Sequence, residues 1–502
     1  MPSLSCCARR PCRVWLSRQF SDGVQRCFMS SATNAGALRT ASAMMRPILN
    51  YRDISENVVY KMSNAVNRKS PITPLAIQSV VRDYKSLKDL SSSLNAKRNT
   101  RSMIGDRIKK FGQEKNQEAL IACLEEAKTL KEEISQLEKT VSELEQSLLD
   151  KALLIPNDTH PNSPLGPESS AITLSSHGPS PGLASPHRDH YTISQSLGLV
   201  DFENAAIVTG ASWYYLKHEA ALLELALTNY AMSIAMKQGF VPIMTPDVVK
   251  GDVAKRCGFQ PRDESDPLKS QVYHVDSHLS TSSQRLVLSG TSEIPLAGLC
   301  ANQLYPKLSL PLKMVGLGHA FRSEAGARGA DTRGLYRVHQ FTKVELFAIT
   351  TETESDKMME DMKNLQIAIF DGLGIPFRVL DMPTEELGAS AYRKYDIEAW
   401  MPGRGNWGEI SSLSNCTDYQ ARRLSIKYQR PIVNQQGTAT HENVYVHTLN
   451  GTAAAIPRLI VALLENGATF DENSQLTGLT LPDVLRPFWL GQPHQRNIIQ
   501  WV

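Results

Sequence analysis

Arg322 and Glu324 stand two residues apart in FRSEAG, and Phe341 and Glu345 stand four apart in QFTKVELF, with Arg328 and Arg333 in the polar stretch between. A guanidinium suits a phosphate, a flat ring suits a base, and carboxylates suit an amine. Read as two strands, a period of two puts Arg322 and Glu324 on one face of the first, and Phe341 and Glu345 on one face of the second. The intervening AGARGADTRG is too long for a tight turn, so the unit reads as a hairpin with a cationic tip. Arg-x-Glu alone is more often a strand salt bridge than a site. GxGxxG occurs once, as GRGNWG at 403–408, where it leads into the strand-like GEISSLSN and opens no helix, and GxxxxGK[ST] does not occur, so a nucleotide bound here is held by other means.

These residues need a scaffold, and 502 residues allow about two to four domains. A net charge of +3 is too mild to mark the whole chain as a nucleic-acid binder, so an RNA surface must be local. No run is long and apolar enough to span a membrane. The eight cysteines form no CxxC pair, which fits reduced thiols and neither a disulfide frame nor a zinc site.

From Ile77 onward, apolar residues at three-four spacing mark one long helix, and Leu120 to Leu148 mark a second. Each has only a narrow apolar seam, so the two pack against each other as an antiparallel hairpin turning near KKFGQEK. The stretch 97–110 carries six cations and one acid, whereas the second helix is acid-rich. A polyanion would meet the distal first helix, through Lys97, Arg98, Arg101, Lys109 and Lys110. Seven prolines between 156 and 186 read as a linker or wrapped loop outside the core. Past Tyr191, a helix with a glycine stop leads to FVPIMTPDVV, and strand-like runs recur with few helices between them. That pattern argues for an α+β domain with an antiparallel sheet.

Taken together, LLIPNDTHPNSPLG, SGTSEIPL, FRSEAG…TRGLYRVHQFTKVELF, KYDIEAWMPGRGNWGEISSLSNCTDYQARRL and HTLNGTAAAIPRLIVALLENG closely resemble the class II aminoacyl-tRNA synthetases, and among them the seryl-tRNA synthetases of mitochondrial type. The resemblance covers roughly residues 60–490. It implies a class II catalytic domain preceded by a coiled-coil arm that grips tRNA(Ser), and a homodimer built on the helix and strand leading to Pro246. It implies activation of L-serine by ATP to seryl-adenylate and transfer to tRNA(Ser), and leaves open a tRNA(Sec) acceptor. An inactive paralogue serving as an RNA- or protein-binding dimer is the alternative, and it should have lost one of Arg322, Glu324, Glu409 or Arg458.

Residue by residue, the resemblance puts ATP on Arg322, Ser323, Glu324, Val338, Phe341, Glu409, Ile410, Ser411, Ser412 and Arg458. Arg322 would meet the α-phosphate, Glu324 the adenine end, and Arg458 would complete the catalytic set with them. Glu409 and Ser412 would reach ATP through a magnesium ion, a hard cation suited to oxygen ligands. Serine would be held by Thr291, Ser292, Glu293, Glu345, Asn450 and Thr452. Carboxylates suit its ammonium, and hydrogen-bonding partners set its hydroxyl apart from a methyl.

Residues 1–50 hold seven Arg, seven Ser and one acid, the composition of a mitochondrial transit peptide, which points to the mitochondrial matrix. The expected organisation is therefore a transit peptide over 1–50, an arm over 51–152, a Pro-rich linker over 153–190, a catalytic domain over 191–490 and a tail over 491–502.

Overall fold

The structure is a computed structural model, and it describes residues 44–259, 272–276, 285–324, 333–433, 439–491 and 496–502. Most of the expected transit peptide, and Arg328, lie outside the described residues.

After a short helix over Tyr51–Glu56, the arm runs through α1 (Val58–Asn67) and continues in two long helices, α2 (Pro74–Gln113) and α3 (Gln117–Ala152). Local chemistry sets their ends. Thr73 caps α2 by accepting from Ala76 N, with Pro74 in the first turn, and Asn116 caps α3 by accepting from Ala119 N. The turn between them falls where KKFGQEK predicts it. Their seam is narrow, with Leu94, Ile104, Cys123, Leu130 and Ile134 buried between the helices. At about 1.5 Å per residue, the forty residues of α2 make a rod about 60 Å long.

The central element is an eight-stranded sheet. Its strands are β1 (Ile172–His177), β2 (Val241–Met244), β3 (Leu312–Phe321), β4 (Gln340–Thr350), β5 (Phe377–Asp381), β6 (Arg393–Met401), β7 (Asn406–Asn415) and β8 (His447–Ala455). The order is β1-β5-β6-β7-β8-β4-β3-β2, and every pairing is antiparallel except β2 with β3. The α+β, antiparallel-sheet class expected from the sequence is the class observed.

Three helices, α4 (Glu219–Lys237), α6 (Ser355–Gly372) and α7 (Ile456–Gly467), contribute to the main core together with Val344, Leu346 and Ala348 of β4. Phe347 and Ile349 join a second core that includes the short helix α5 (Glu293–Leu299). The alternation along β4 therefore feeds two cores on opposite faces of the sheet.

Three expected segments are corrected. The Pro-rich 153–190 segment is more than a linker, because it supplies β1, an edge strand paired with β5. The prolines that end at Pro167 and resume at Pro179 leave a proline-free window, and an edge position is where such a strand is tolerated. The folded body also begins before residue 51. Leu49 is buried, Ile48 N donates to Arg422 O, and Arg46 pairs with Glu145 at 3.0 Å, so residues 44–50 belong to the packed structure. The tail likewise has structure. Ile499–Trp501 adds a parallel strand beside Leu476–Leu481, and Arg496 pairs with the buried Glu219.

Candidate active site

The Arg322 hairpin forms with a changed register. β3 ends at Phe321, one residue before Arg322, whose N–H still donates to His339 O. Glu324 lies beyond the strand with φ +47°, so strand alternation does not place it as expected. It faces Arg337, whose Nη1 donates to Glu324 Oε2 at 3.3 Å. Arg322 lies over the Phe341 ring, 5.5 Å from its centre, and its Nε donates to Gly290 O. Arg333, expected at the hairpin tip, lies over the Tyr191 ring at 4.4 Å and 4.0 Å from Asp189.

β4 carries Phe341, Lys343 and Glu345 on one face by strict alternation. The neighbouring strands reach that face by breaking alternation. In β7, the register with β6 jumps between Ile397↔Ser411 and Glu398↔Glu409, so Ile410 is an extra residue, a β-bulge. Ile410 joins the main core, and the Ser411 hydroxyl donates to Thr452 O and accepts from Gln366 of α6. Glu409 and Ser412, three apart, consequently both line the cavity. In β8, the register with β4 jumps between Val344↔Ala454 and Glu345↔Thr452; Ala453 and Ala454 are both in the core, and Thr452 stands opposite Glu345. Ile410 and Ser411, expected at ATP, line the pocket that adjoins the cavity, with the Ile410 side chain in the core and the Ser411 hydroxyl bonded to Thr452 O and Gln366.

The cavity so formed measures about 540 Å³ and is lined by Thr291, Glu293, Arg322, Glu324, Lys343, Glu409, Ser412, Asn450 and Arg458 among others. An adjoining pocket is lined by Val338, Phe341, Thr452 and Arg458. Ser292 is not brought in. Its hydroxyl lies 3.1 Å from Thr245 Oγ1, and both crowd Gly318, where a Cβ would come within 2.6 Å of each. Ser292 therefore packs against β3 instead of the cavity, and Ser323 lies in the chain between Arg322 and Glu324.

Charge is concentrated at two ends. At one end, burial pushes the Glu409 carboxyl up, but Arg458, Lys394 and Arg322 together outweigh it and bring it down to about 2. Arg458, in the first turn of α7 after Pro457, donates from Nη1 to Glu409 O at 2.9 Å and Oε2 at 3.1 Å. Its guanidinium and that of Arg404 lie over the Tyr336 ring, 4.7 and 3.6 Å from its centre. Behind that ring, His190 accepts from Leu335 N through Nε2 and meets Glu465 at 2.9 Å through Nδ1. Glu465 also takes the N–H groups of Gly403 and Arg404, so this buried pair ties both sides of the Tyr336 platform together.

At the other end, burial and the nearby Glu345 push Glu293 up to about 7, against Lys343, Gln420 and Arg322. Gln420 and Asn450 donate to its two oxygens, at 2.5 and 3.1 Å. Glu345 is fully buried and pairs with Lys343 at 2.6 Å, yet neither of its oxygens accepts a hydrogen bond of good geometry among the described residues. Lys343 Nζ donates to Thr291 Oγ1 at 3.1 Å. Lys343, Gln420, Tyr336 and Arg404 were not anticipated. For Lys343 a signal existed, since it alternates with Phe341 and Glu345; Tyr336 and Arg404 lie close in sequence to Val338 and Glu409 but carry no periodic signal, and Gln420 comes from a segment that only the fold brings near.

The oxygens at the Glu409 end suit a hard divalent cation. Glu409 is held ionised, Ser412 adds a hydroxyl, and opposite Ser412 in the register the buried Asp396 has an Oδ1 that accepts no hydrogen bond among the described residues.

Along the arm the expected cations divide. Lys97 pairs with Glu133 at 2.6 Å and Arg98 with Glu138 at 2.8 Å, both across to α3. Arg101, Lys109 and Lys110 are exposed, with Lys109 and Lys110 only 3.9 Å from Asp106 and Glu114 on their own turns.

A family model described as the tRNA synthetase class II core domain (G, H, P, S and T) matches residues 273–467, and a seryl-tRNA synthetase N-terminal domain model matches 48–159. The chain is 40% identical to a serine–tRNA ligase of Treponema denticola over 444 residues, covering 88% of this chain and 98% of that one. It is 39% identical to the mitochondrial serine–tRNA ligase of Schizosaccharomyces pombe, covering 92% and 93%. A crystal structure of seryl-tRNA synthetase from Pyrococcus horikoshii complexed with ATP superposes with a TM-score of 0.77 at 32% identity, covering 88% of this chain and 98% of that one.

Proposed function

This chain belongs to the seryl-tRNA synthetase family and is an ATP-dependent serine–tRNA ligase, and from that premise we propose how its residues divide the work and where it works. The observation that carries the assignment of roles is the cavity with Arg322, Glu409 and Arg458 toward one end and Thr291 and Glu293 toward the other, where Lys343 covers the buried Glu345. ATP lies at the arginine end, its base on Phe341 and its α-phosphate on Arg322. Serine lies at the carboxylate end, its ammonium on Glu345 and Thr291, with Thr452 and Asn450 at its hydroxyl.

With the two substrates so placed, a serine carboxylate oxygen attacks the α-phosphorus in line. The bond to the β-phosphate oxygen breaks, and pyrophosphate leaves with its electron pair. Arg322 stabilises charge on the phosphoryl oxygens, which is positioning and electrostatics rather than base chemistry. A magnesium ion held by Glu409 and Ser412 would supply further neutralisation of the phosphates. A ribose hydroxyl at the tRNA end then attacks the seryl carbonyl, releasing AMP.

The finer reading is mitochondrial translation in the matrix, supported by the basic, acid-poor first 50 residues and by mitochondrial relatives in two yeasts, although bacterial relatives are equally close. A homodimer is supported by Leu225 and Met236 on α4 and Met244 on β2, apolar side chains left exposed at one edge of the sheet. The domain boundaries that follow are an arm from residue 44 to about 155 and a catalytic body from there onward.

Serine-dependent exchange of pyrophosphate into ATP, compared with alanine, threonine and cysteine, tests the activity; exchange absent with serine would return the inactive-paralogue reading. Charging of tRNA(Ser) and tRNA(Sec) side by side settles the acceptor range. A pH dependence is expected as well. Because Glu293 is pushed up to about 7 and a cationic ammonium needs ionised carboxylates, the KM for serine should rise as pH falls from 8 to 6. Glu293→Gln should flatten that profile, and an unchanged slope in this variant would remove Glu293 from the serine site.

A further inference from the structure

Lys343 is a charged side chain that the proposed mechanism leaves without a task. It is 7% exposed, in the middle of β4, between the residue proposed for the base and the residue proposed for the ammonium. It lines both the large cavity and the adjoining pocket, so its tip stands where the two substrates meet. Its two partners are Glu345 Oε2 and Thr291 Oγ1, the groups assigned to the serine ammonium. A lysine ammonium and an amino-acid ammonium are chemically alike, and Glu345 is too deeply buried to hold both side by side without a further anion.

Serine brings that anion. The groups around the seat are Glu293 and Glu345 on one side and Lys343 and Arg322 on the other, a balanced set. A zwitterion leaves the balance intact, provided each of its charges finds an opposite one. Lys343 is a compact charge on a flexible four-carbon stem, able to change partners by rotation alone.

We propose that Lys343 trades partners with the substrate: in the free enzyme it holds the Glu345–Thr291 seat, and as serine binds, the substrate ammonium takes that seat while Lys343 turns to the substrate carboxylate. The inference rests on the reading that Glu345 and Thr291 hold serine. It makes Lys343 a substrate-binding residue that orients the attacking carboxylate toward the α-phosphorus, and it makes recognition depend on the carboxylate and the ammonium together. A ligand with the ammonium but no carboxylate must displace Lys343 and leave it buried without an anion.

The test is equilibrium binding of L-serine and of L-serinamide, which keeps the ammonium and hydroxyl but lacks the carboxylate, to the full chain and to Lys343→Met, Lys343→Gln and Glu345→Gln. Binding of AMP verifies that each variant is folded; Lys343→Gln keeps polar contact with Glu345 and Thr291 should Lys343→Met fold poorly. The wild type should prefer serine over serinamide by about 10- to 100-fold, the size of a hydrogen bond to a charged group. In Lys343→Met or Lys343→Gln that ratio should collapse to within about threefold, with serinamide bound no more weakly than by the wild type, while Glu345→Gln weakens both ligands. A lysine that only braces the pocket would lower both affinities together and leave the ratio alone, which overturns the inference. Glu345→Gln binding both ligands like the wild type would instead overturn the seat on which it rests.

Discussion

Arg322→Met is expected to slow serine-dependent pyrophosphate exchange by about 100- to 1000-fold, the usual cost of removing one preorganised donor from a developing anion. The expectation comes from where the guanidinium is held. It is half-buried, fixed by Gly290 O and the Phe341 ring, and has a second cation, Arg458, close enough to disfavour its charge. Burial and that neighbour lower its pKa, against the pull of Glu324, Glu409 and Glu345. Two cations confined in this way are an unfavourable arrangement for the free protein and a favourable one for a triphosphate. The variant should therefore unfold at the same temperature as the wild type or slightly higher while losing exchange, the stability–activity trade expected of a strained site. A loss of exchange smaller than about tenfold would remove Arg322 from the α-phosphate.

The second large effect should have the opposite signature. Replacing Arg101, Lys109 and Lys110 together by serine is expected to weaken tRNA(Ser) binding and flatten its dependence on salt, by about 0.7 to 0.9 in logarithmic slope for each phosphate that is no longer neutralised. Exchange without tRNA should not change, because these side chains stand on a rod packed along α3, and none of its residues is among the described residues that line the cavity. Replacing Lys97 and Arg98 should do less. Each already has a carboxylate partner on α3, and exposed pairs of that kind contribute about 0.2 to 1 kcal/mol to the hairpin. If the triple variant kept the wild-type salt slope, the RNA surface would have to be sought elsewhere on the arm.

Much of this site was legible in the sequence because its parts are local. Arg322 and Glu324 share a four-residue string, Phe341 and Glu345 share a strand, and a strand's alternation carries Lys343 with them. The arm was legible for the same reason, since three-four spacing and a polar turn are local signals. What the sequence concealed depends on contacts between distant segments. Nothing within QARRL indicates that Gln420 will donate to Glu293, 127 residues earlier. Nothing in HRDHY shows that His190 will brace Leu335, 145 residues later. β1 was hidden by composition, because its flanking prolines dominate the segment while the strand itself is short and at an edge. Ser292 was carried along by adjacency to Thr291 and Glu293, although its side chain points into β3.

The extra residues at Ile410 and Ala453 also bear on how this chain tolerates changes in length. In an evenly paired strand, losing one residue near an end costs a ladder rung and little more. Here the segment from Glu409 to Ser412 holds two cavity-lining side chains apart by an odd interval, and removing either middle residue would restore even pairing. The shortened strand would be more regular and would still put Glu409 and Ser412 on one face, two residues apart, so what it loses is the Ile410 side chain in the core or the Ser411 hydroxyl between Thr452 O and Gln366. The same holds between Thr452 and Ala455. In these two short windows a one-residue deletion is therefore expected to keep the cavity-facing phase and to cost packing, because the extra residues serve the core behind the sheet.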